Sequence, residues 1–386
     1  MINIIDKSKC NGCHACYSIC PVGCIEMLAD SEGFLYPSVD KERCIDCGKC
    51  EAVCPVANNK CQNPDSLQTG CAAYAKDEKI RLESSSGGIF TLLAEAIIDS
   101  GGVVFGAAMT DDCKSVHHIA VENKETLKKL RGSKYLQSSV ENTFKTVREY
   151  LENGRTVLYS GTPCQIGGLY SYLGKDYENL YTQDLICHGV PSQLIWDKYL
   201  QVREVSSDAS AKKVFFRNKA DGWKNYSVLL EFENGNNYHG KFRDDLYMKG
   251  FLSNIYLRPS CYECAFKTAN RQADITLADF WGIQDILPEM DDDKGTSFVW
   301  IHSEKGKKLF DKLTDSICFK PVDTDKALSR NTSAVKAAPL PQKREEFFDY
   351  IKRSGNIAAG IEKYTKAPLT KRIKQKLAKV KRLILK

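Results

Sequence analysis

Cys10, Cys13, Cys16 and Cys20, followed by Pro21, form the pattern C-x2-C-x2-C-x3-C-P, and the same spacing recurs 34 residues later as Cys44, Cys47, Cys50 and Cys54, followed by Pro55. Three thiolates on one tight loop can grip three irons of a cubane. The fourth starts a short helix leading away and ligates the cluster of the other half. The expected sets are therefore Cys10, Cys13, Cys16 and Cys54 for one 4Fe–4S cluster, and Cys44, Cys47, Cys50 and Cys20 for a second. Gly12 and Gly48 suit loops whose backbone N–H groups turn toward inorganic sulfurs. Zinc sites pair two short C-x2-C units and do not account for three close thiols with a displaced fourth, twice over. Cys24, in PVGCI, reads as a buried core thiol.

Nine of the seventeen cysteines remain, and four of them stand in unusual contexts. Cys164 lies in SGTPCQIG and Cys187 in DLICHGVP, each just after a strand-like run, while Cys261 and Cys264 form a C-x2-C pair in RPSCYECAF. In an α/β sheet the strand ends converge on one crevice, where such residues can meet. By spacing alone, four converging thiolates suit a third 4Fe–4S cluster and a zinc ion equally. The two sites upstream favour the cluster, because electrons delivered by residues 1–60 need a destination.

The elements that must position these residues follow from the apolar periodicity. Residues 1–60 read as a small two-cluster ferredoxin-like domain, and residues 61–72, with Pro64 and Gly70, as a linker. Gly102–Met109, Arg155–Ser160 and Leu180–Ile186 read as buried strands; Gly87–Asp99, Glu141–Glu152 and Pro163–Leu173 read as helices. Further strand-like runs are Val214–Arg217, Ser227–Glu233, Ile275–Ala278 and Phe298–His302, with a helix over Lys305–Thr314. The expected class is thus α+β to α/β: the ferredoxin-like domain, then a mixed α/β body over 72–204 and 205–330, then a helical region over 331–386.

Composition limits the alternatives. The 386 residues are 42% hydrophobic and 27% charged, which fits a globular chain of more than one domain. No run of about 18 apolar residues suggests a membrane span, and MINIIDKSKC lacks the shape of a secretory signal. Clustered thiols in such a chain point to metal ligation in a reducing cytoplasm rather than to disulfides. The formal charge of +6 is uneven, because residues 363–386 carry ten Lys or Arg and no acid. The remainder is mildly acidic, so no nucleic-acid surface is expected.

With these motifs in hand, the chain resembles the coenzyme F420 hydrogenase/dehydrogenase beta-subunit family from about Ala72 to about Lys320, carrying an added two-cluster ferredoxin domain. The motifs are SSSGGIFTLL (84–93), LRGSKYLQS (130–138), YSGTPCQIGGL (159–169), DLICHGVPS (184–192), FFRNKADGW (215–223), CYEC (261–264) and ADITLADFWG (273–282). The resemblance implies FAD, a cluster on Cys164, Cys187, Cys261 and Cys264, and electron passage between flavin and a low-potential partner. It makes the glycine- and hydroxyl-rich loops flavin-binding candidates: Ser84, Ser85, Ser86, Gly87 and Gly88; Gly132, Ser133, Lys134 and Tyr135; Ser160, Gly161 and Thr162. Physically, a serine–glycine turn before a helix offers free N–H groups to a pyrophosphate, and Lys134 offers a positive charge. The same turn also reads simply as an N-cap. No G-x-G-x-x-G is present, so a Rossmann nicotinamide site is not expected.

No catalytic residue can be assigned from sequence. His188, beside Cys187, and Asp279, near Trp281, are candidates against ordinary structural roles. Trp223 and Trp281 read as core or as cofactor shielding, and His117–His118 as an ordinary strand or surface pair. The expected activity is that of an iron–sulfur flavoprotein oxidoreductase exchanging electrons between ferredoxin or another redox protein and a small-molecule acceptor or donor, coenzyme F420 among the options. The rivals are a non-catalytic electron-transfer subunit of a larger redox complex and a zinc-stabilised interaction module. In the tail, Leu369, Ile373, Leu377, Val380 and Ile384 form one apolar stripe among basic residues. That pattern suits either peripheral contact with the inner face of the cell membrane or packing on the body.

Overall fold

The alternation of apolar and amphipathic runs resolves into three sheets in a computed structural model that describes residues 1–58, 60, 63 and 67–366. The N-terminal unit holds a hairpin of β1 (Ile25–Ala29) and β2 (Leu35–Val39). Next come β3 (Thr69–Ala75), β4 (Val103–Met109), β5 (Val116–Val121), β6 (Ser138–Ser139), β7 (Val157–Ser160) and β8 (Leu180–Leu185). A separate antiparallel sheet holds β9 (Ala211–Asn218), β10 (Ser227–Phe232) and β11 (Asn237–Lys241). The chain then returns with β12 (Ile275–Asp279), β13 (Ser297–Ile301) and β14 (Ile317–Val322).

The main sheet has nine strands in the order β14-β3-β13-β12-β8-β7-β4-β5-β6. Its centre, β12-β8-β7-β4, is parallel; β4 and β7 are largely buried apolar runs, as helices on both faces require, whereas β8 buries Thr182, Gln183 and Asp184. The flank β12-β13-β3-β14 is antiparallel throughout. Helices Ile89–Asp99 and Pro163–Leu173 begin just beyond the sheet, and their apolar faces bury Leu93, Ile97, Ile166 and Leu169.

Two sequence expectations shift. The linker expected over 61–72 ends sooner, because Thr69 already enters β3, which is inserted between β14 and β13. The helix expected from Gly87 begins at Ile89, because Gly88 takes a φ of +87° and stands outside the helical turn.

The N-terminal unit is built into the body. Phe34 and Tyr36 of its hairpin share one apolar core with Trp196, Phe216, Tyr247 and Tyr256. Arg344, at the start of helix Arg344–Ser354, forks onto Glu32 through Nη1–Oε1 at 3.0 Å and Nη2–Oε2 at 2.6 Å. A last described helix, Ile357–Thr365, sets Tyr364 edge-on to Phe347. Cys61 and the basic stripe from Leu369 to Ile384 lie outside the described residues. Among the described residues, no helix is long and apolar enough to cross a membrane.

Candidate redox site

Cys20, Cys44, Cys47 and Cys50 line one small pocket together with Met1, Pro21 and Cys24. In this grouping Cys20, the last cysteine of the first motif, stands with the first three of the second. The complementary thiols also lie together: Cys10 and Cys54 are the neighbours that act electrostatically on Cys13 and Cys16. Two tight left-handed turns make the loops possible, one at His14 (φ 64°) and one at Gly48 (φ 69°), each opening a short helix. Burial pushes the Cys13 thiol up to about 12, so the neutral form dominates until iron displaces its proton. Burial also acts on Cys20, but backbone N–H groups of Cys24, Val22 and Gly23 and the Cys24 side chain outweigh it and hold this thiol below the ordinary value. Cys24 is therefore more than a core thiol, since its Sγ lies 3.5 Å from that of Cys20.

The four body cysteines arrive from three directions. Cys164 sits in the first turn of helix Pro163–Leu173, Cys187 follows β8, and Cys261 and Cys264 flank the end of a 3-10 turn over Pro259–Glu263. All four line one pocket beyond the carboxyl ends of the parallel strands, with Phe266, Lys267 and Arg271. Burial pushes Cys261 up to about 12 and raises Cys164 and Cys187 as well. The backbone N–H of Val190 donates to Cys261 Sγ at 3.2 Å. Among the described residues no three Cys, His, Asp or Glu side chains crowd closely enough for a lone metal ion. Cys13 acts electrostatically on Cys164, so the first cysteine set adjoins the body set.

Sequence reasoning missed the cations around these thiols. Lys267 Nζ donates to the carbonyls of Cys187 and Ser333. Arg271 is buried against Asp184, with Nη1–Oδ2 at 3.1 Å, and Thr276 carries that polar chain on to His302. Arg258 reaches into the N-terminal unit, where Nε donates to Cys10 O at 2.8 Å. Nothing local marks these residues as buried, because their partners are remote in sequence.

Two of the three predicted flavin loops meet. Ser85 Oγ accepts from the Ser133 backbone N–H at 2.7 Å, and the two hydroxyls lie 3.0 Å apart. Ser84 donates to Ile80 O and Ser86 to Thr296 O, so these two hydroxyls brace the turn. Gly87 is pressed so close that a Cβ would stand 2.4 Å from Ala73 O, whereas Gly132 (φ +78°) borders open space. Helix Ile89–Asp99 has Gly88 as its N-cap and no side-chain cap, and in its first turn the Thr91 hydroxyl is buried without a hydrogen-bond partner. Uncapped N–H groups and an orphan hydroxyl fit an anionic group such as a pyrophosphate. Lys134 Nζ meanwhile donates to the carbonyls of Lys129 and Arg131, and burial pushes it down to about 7. Lys219, not foreseen, closes the same turn by donating to Arg81 O, Ser86 O and Lys294 O.

The third loop is held by protein partners. Ser160 donates to Gln183 Oε1 at 2.6 Å, the Thr162 backbone N–H donates to Gln165 Oε1 at 3.0 Å, and Thr162 Oγ1 lies 3.1 Å from Cys164 Sγ. Gly161, between them, donates its N–H to Gln183 O. His118, expected as part of an ordinary pair, is instead buried between Ser138 Oγ and Ser160 O, and only His117 faces outward toward Glu141.

His188 pairs Nε2 with Asn254 Oδ1 at 2.7 Å beside the Cys187 pocket, and burial lowers its pKa. The Asp279 carboxylate receives both Nη groups of Arg217, at 2.6 and 3.1 Å, and the Trp223 indole N–H at 2.9 Å. Trp223 and Trp281 stack with centroids 5.1 Å apart. The guanidinium lies 4.1 Å above the Tyr226 ring, and Tyr135 lies edge-on to Phe216 next door. Arg217 sits in the quoted FFRNKADGW motif. A charged residue directly after the apolar Val214–Phe216 run was the one sequence signal for it.

Three family models match this chain. Residues 9–58 match the 4Fe-4S dicluster domain, residues 71–145 the N-terminal part of the coenzyme F420 hydrogenase/dehydrogenase beta subunit, and residues 154–326 the C terminus of that subunit. A coenzyme F420-dependent sulfite reductase of Methanocaldococcus jannaschii is 29% identical over 127 residues, which is 33% of this chain and 20% of that protein. The chain thus matches about a fifth of the length of this curated relative. A chain of the F420-reducing NiFe hydrogenase complex from Methanosarcina barkeri aligns with a TM-score of 0.47 at 19% identity, over 70% of this chain and 92% of that one.

Proposed function

Because the chain belongs to the coenzyme F420 hydrogenase/dehydrogenase beta-subunit family and carries a 4Fe-4S dicluster domain, we propose that it is an FAD-dependent iron–sulfur oxidoreductase with a third cluster in its body. The observation that carries this reading is the single pocket lined by Cys164, Cys187, Cys261 and Cys264, with the first ferredoxin cysteine set adjoining it. Cys10, Cys13, Cys16 and Cys54 hold one cluster and Cys44, Cys47, Cys50 and Cys20 another. Clusters handle single electrons and a flavin handles one or two, so together they join a ferredoxin-like partner to a two-electron substrate. Coenzyme F420 is one such substrate.

The protein's own part is positional. Ser85, Ser133 and the uncapped start of helix Ile89–Asp99 would hold the anionic part of the flavin, with Lys134 and Lys219 stiffening the turns. Asp279, fixed by Arg217 and Trp223, keeps the stacked tryptophans in place. The basic tail adds peripheral contact with an anionic membrane surface.

Iron, sulfide, zinc and flavin quantification on anaerobically purified protein tests the reading. About twelve irons and one FAD per chain are expected. About eight irons with zinc would remove the third cluster, and full iron without flavin would make the chain an electron-transfer subunit.

A further inference from the structure

Arg258 is fully buried and has no carboxylate within ion-pair distance among the described residues. Its donors go to Cys10 O (2.8 Å), Leu35 O (2.8 Å) and Gln137 Oε1 (3.0 Å), and Nη2 lies 3.6 Å from Cys10 Sγ. The Tyr36 ring lies 4.4 Å from the guanidinium carbon. An arginine stays protonated, and a buried charge without a countercharge is strongly disfavoured. The countercharge must come from something this pocket holds besides carboxylates. The thiolates of the first ferredoxin set come closest, with Cys10 Sγ 3.6 Å from Nη2, and the Cys261 thiol of the body set also feels this charge.

The same residue faces the body site through its backbone, since Arg258 O accepts the Cys261 N–H at 2.9 Å. Arg258 therefore stands between the first ferredoxin set and the body set. The outer set of Cys20, Cys44, Cys47 and Cys50 has different company: Lys49 is exposed, and the Met1 ammonium is shared with Asp46 and Glu51 at 3.7 and 3.5 Å. A fixed positive charge in a poorly polarisable setting stabilises the reduced, more negative cluster and raises its reduction potential.

We propose that Arg258 is a positioning residue that sets the potential of the inner ferredoxin site above that of the outer one, so that an electron entering at the outer face is drawn toward the body. The inference rests on the dicluster reading of the first eight cysteines and does not depend on the third cluster.

Redox titration of the full chain, followed by electron paramagnetic resonance, tests it. The inner signal is the one that Cys13→Ala removes. In Arg258→Met, with iron retained, the reduced-to-oxidised ratio of the inner site at a fixed potential should fall about tenfold, a 59 mV shift for one electron, while the outer site stays unchanged. Arg258→Lys, which keeps the charge, should shift it less. An unchanged inner potential, equal shifts in both variants, or iron loss from both would overturn the proposal. A wild-type chain with about eight irons would sink the third cluster yet leave this measurement intact.

Discussion

Cys13 packs directly on Gly168: a Cβ built at Gly168 would stand 2.9 Å from Cys13 Cβ and 3.1 Å from its Sγ. Gly168 lies one turn beyond Cys164 on the same helix. The absence of a side chain there is what lets the ferredoxin loop approach the body site.

Gly168→Val should therefore force the loop away. The overpacking should cost about 1–3 kcal/mol, read as a lower midpoint in urea unfolding, and should slow electron exchange between the inner ferredoxin site and the body. Wild-type stability and exchange would show that the contact is not required.

The crossed ligand sets give a sharper prediction. Cys54→Ala should remove the same paramagnetic signal as Cys13→Ala, with about four irons lost in each case. Cys20→Ala should act on the signal that Cys47→Ala removes. Loss of Cys54 together with the Cys47 signal would contradict the exchange.

Arg217→Met should cost about 3–5 kcal/mol, because among the described residues it leaves the Asp279 carboxylate with only the Trp223 N–H as a side-chain donor. Paired with Asp279→Leu, the loss should largely disappear. A double-mutant unfolding cycle measures this directly.

Acid should destabilise the fold through His118. Burial holds its pKa down at about 4, against 6.5 in an unfolded chain. The folded state then carries fewer protons between those values. Stability should fall as pH drops from 6.5 toward 4, by about 3 kcal/mol from this residue, and its share should level off below. His118→Gln should flatten that part of the unfolding curve, and an unaltered slope would refute the assignment.

Deleting residues 367–386 should abolish co-sedimentation with anionic vesicles, and salt should weaken it in the full chain. Equal sedimentation of the two chains would rule the tail out as the attachment.

Much of this site was legible because cubane ligation imposes short, repeated cysteine spacing, and because buried parallel strands such as Val157–Ser160 announce themselves as apolar runs. The joining of Cys164 and Cys187 followed from both lying at strand ends. What stayed hidden was non-local. Thr69–Ala75 gives no sign that it enters between β13 and β14, since its pairing partners lie more than 200 residues away. Arg258 and Arg271 look like surface residues until the fold surrounds them. His118 differs from His117 only by the alternation of β5, whose register fixes which of the two turns inward.

The fork between Arg344 and Glu32, together with Phe34 and Tyr36 in the common core, fastens the ferredoxin unit on two sides. Such a unit cannot work as a swinging arm that loads at one place and unloads at another. Its redox centres are held like stations on a fixed track, so the gap between them is a constant of the fold rather than something this domain adjusts as it works.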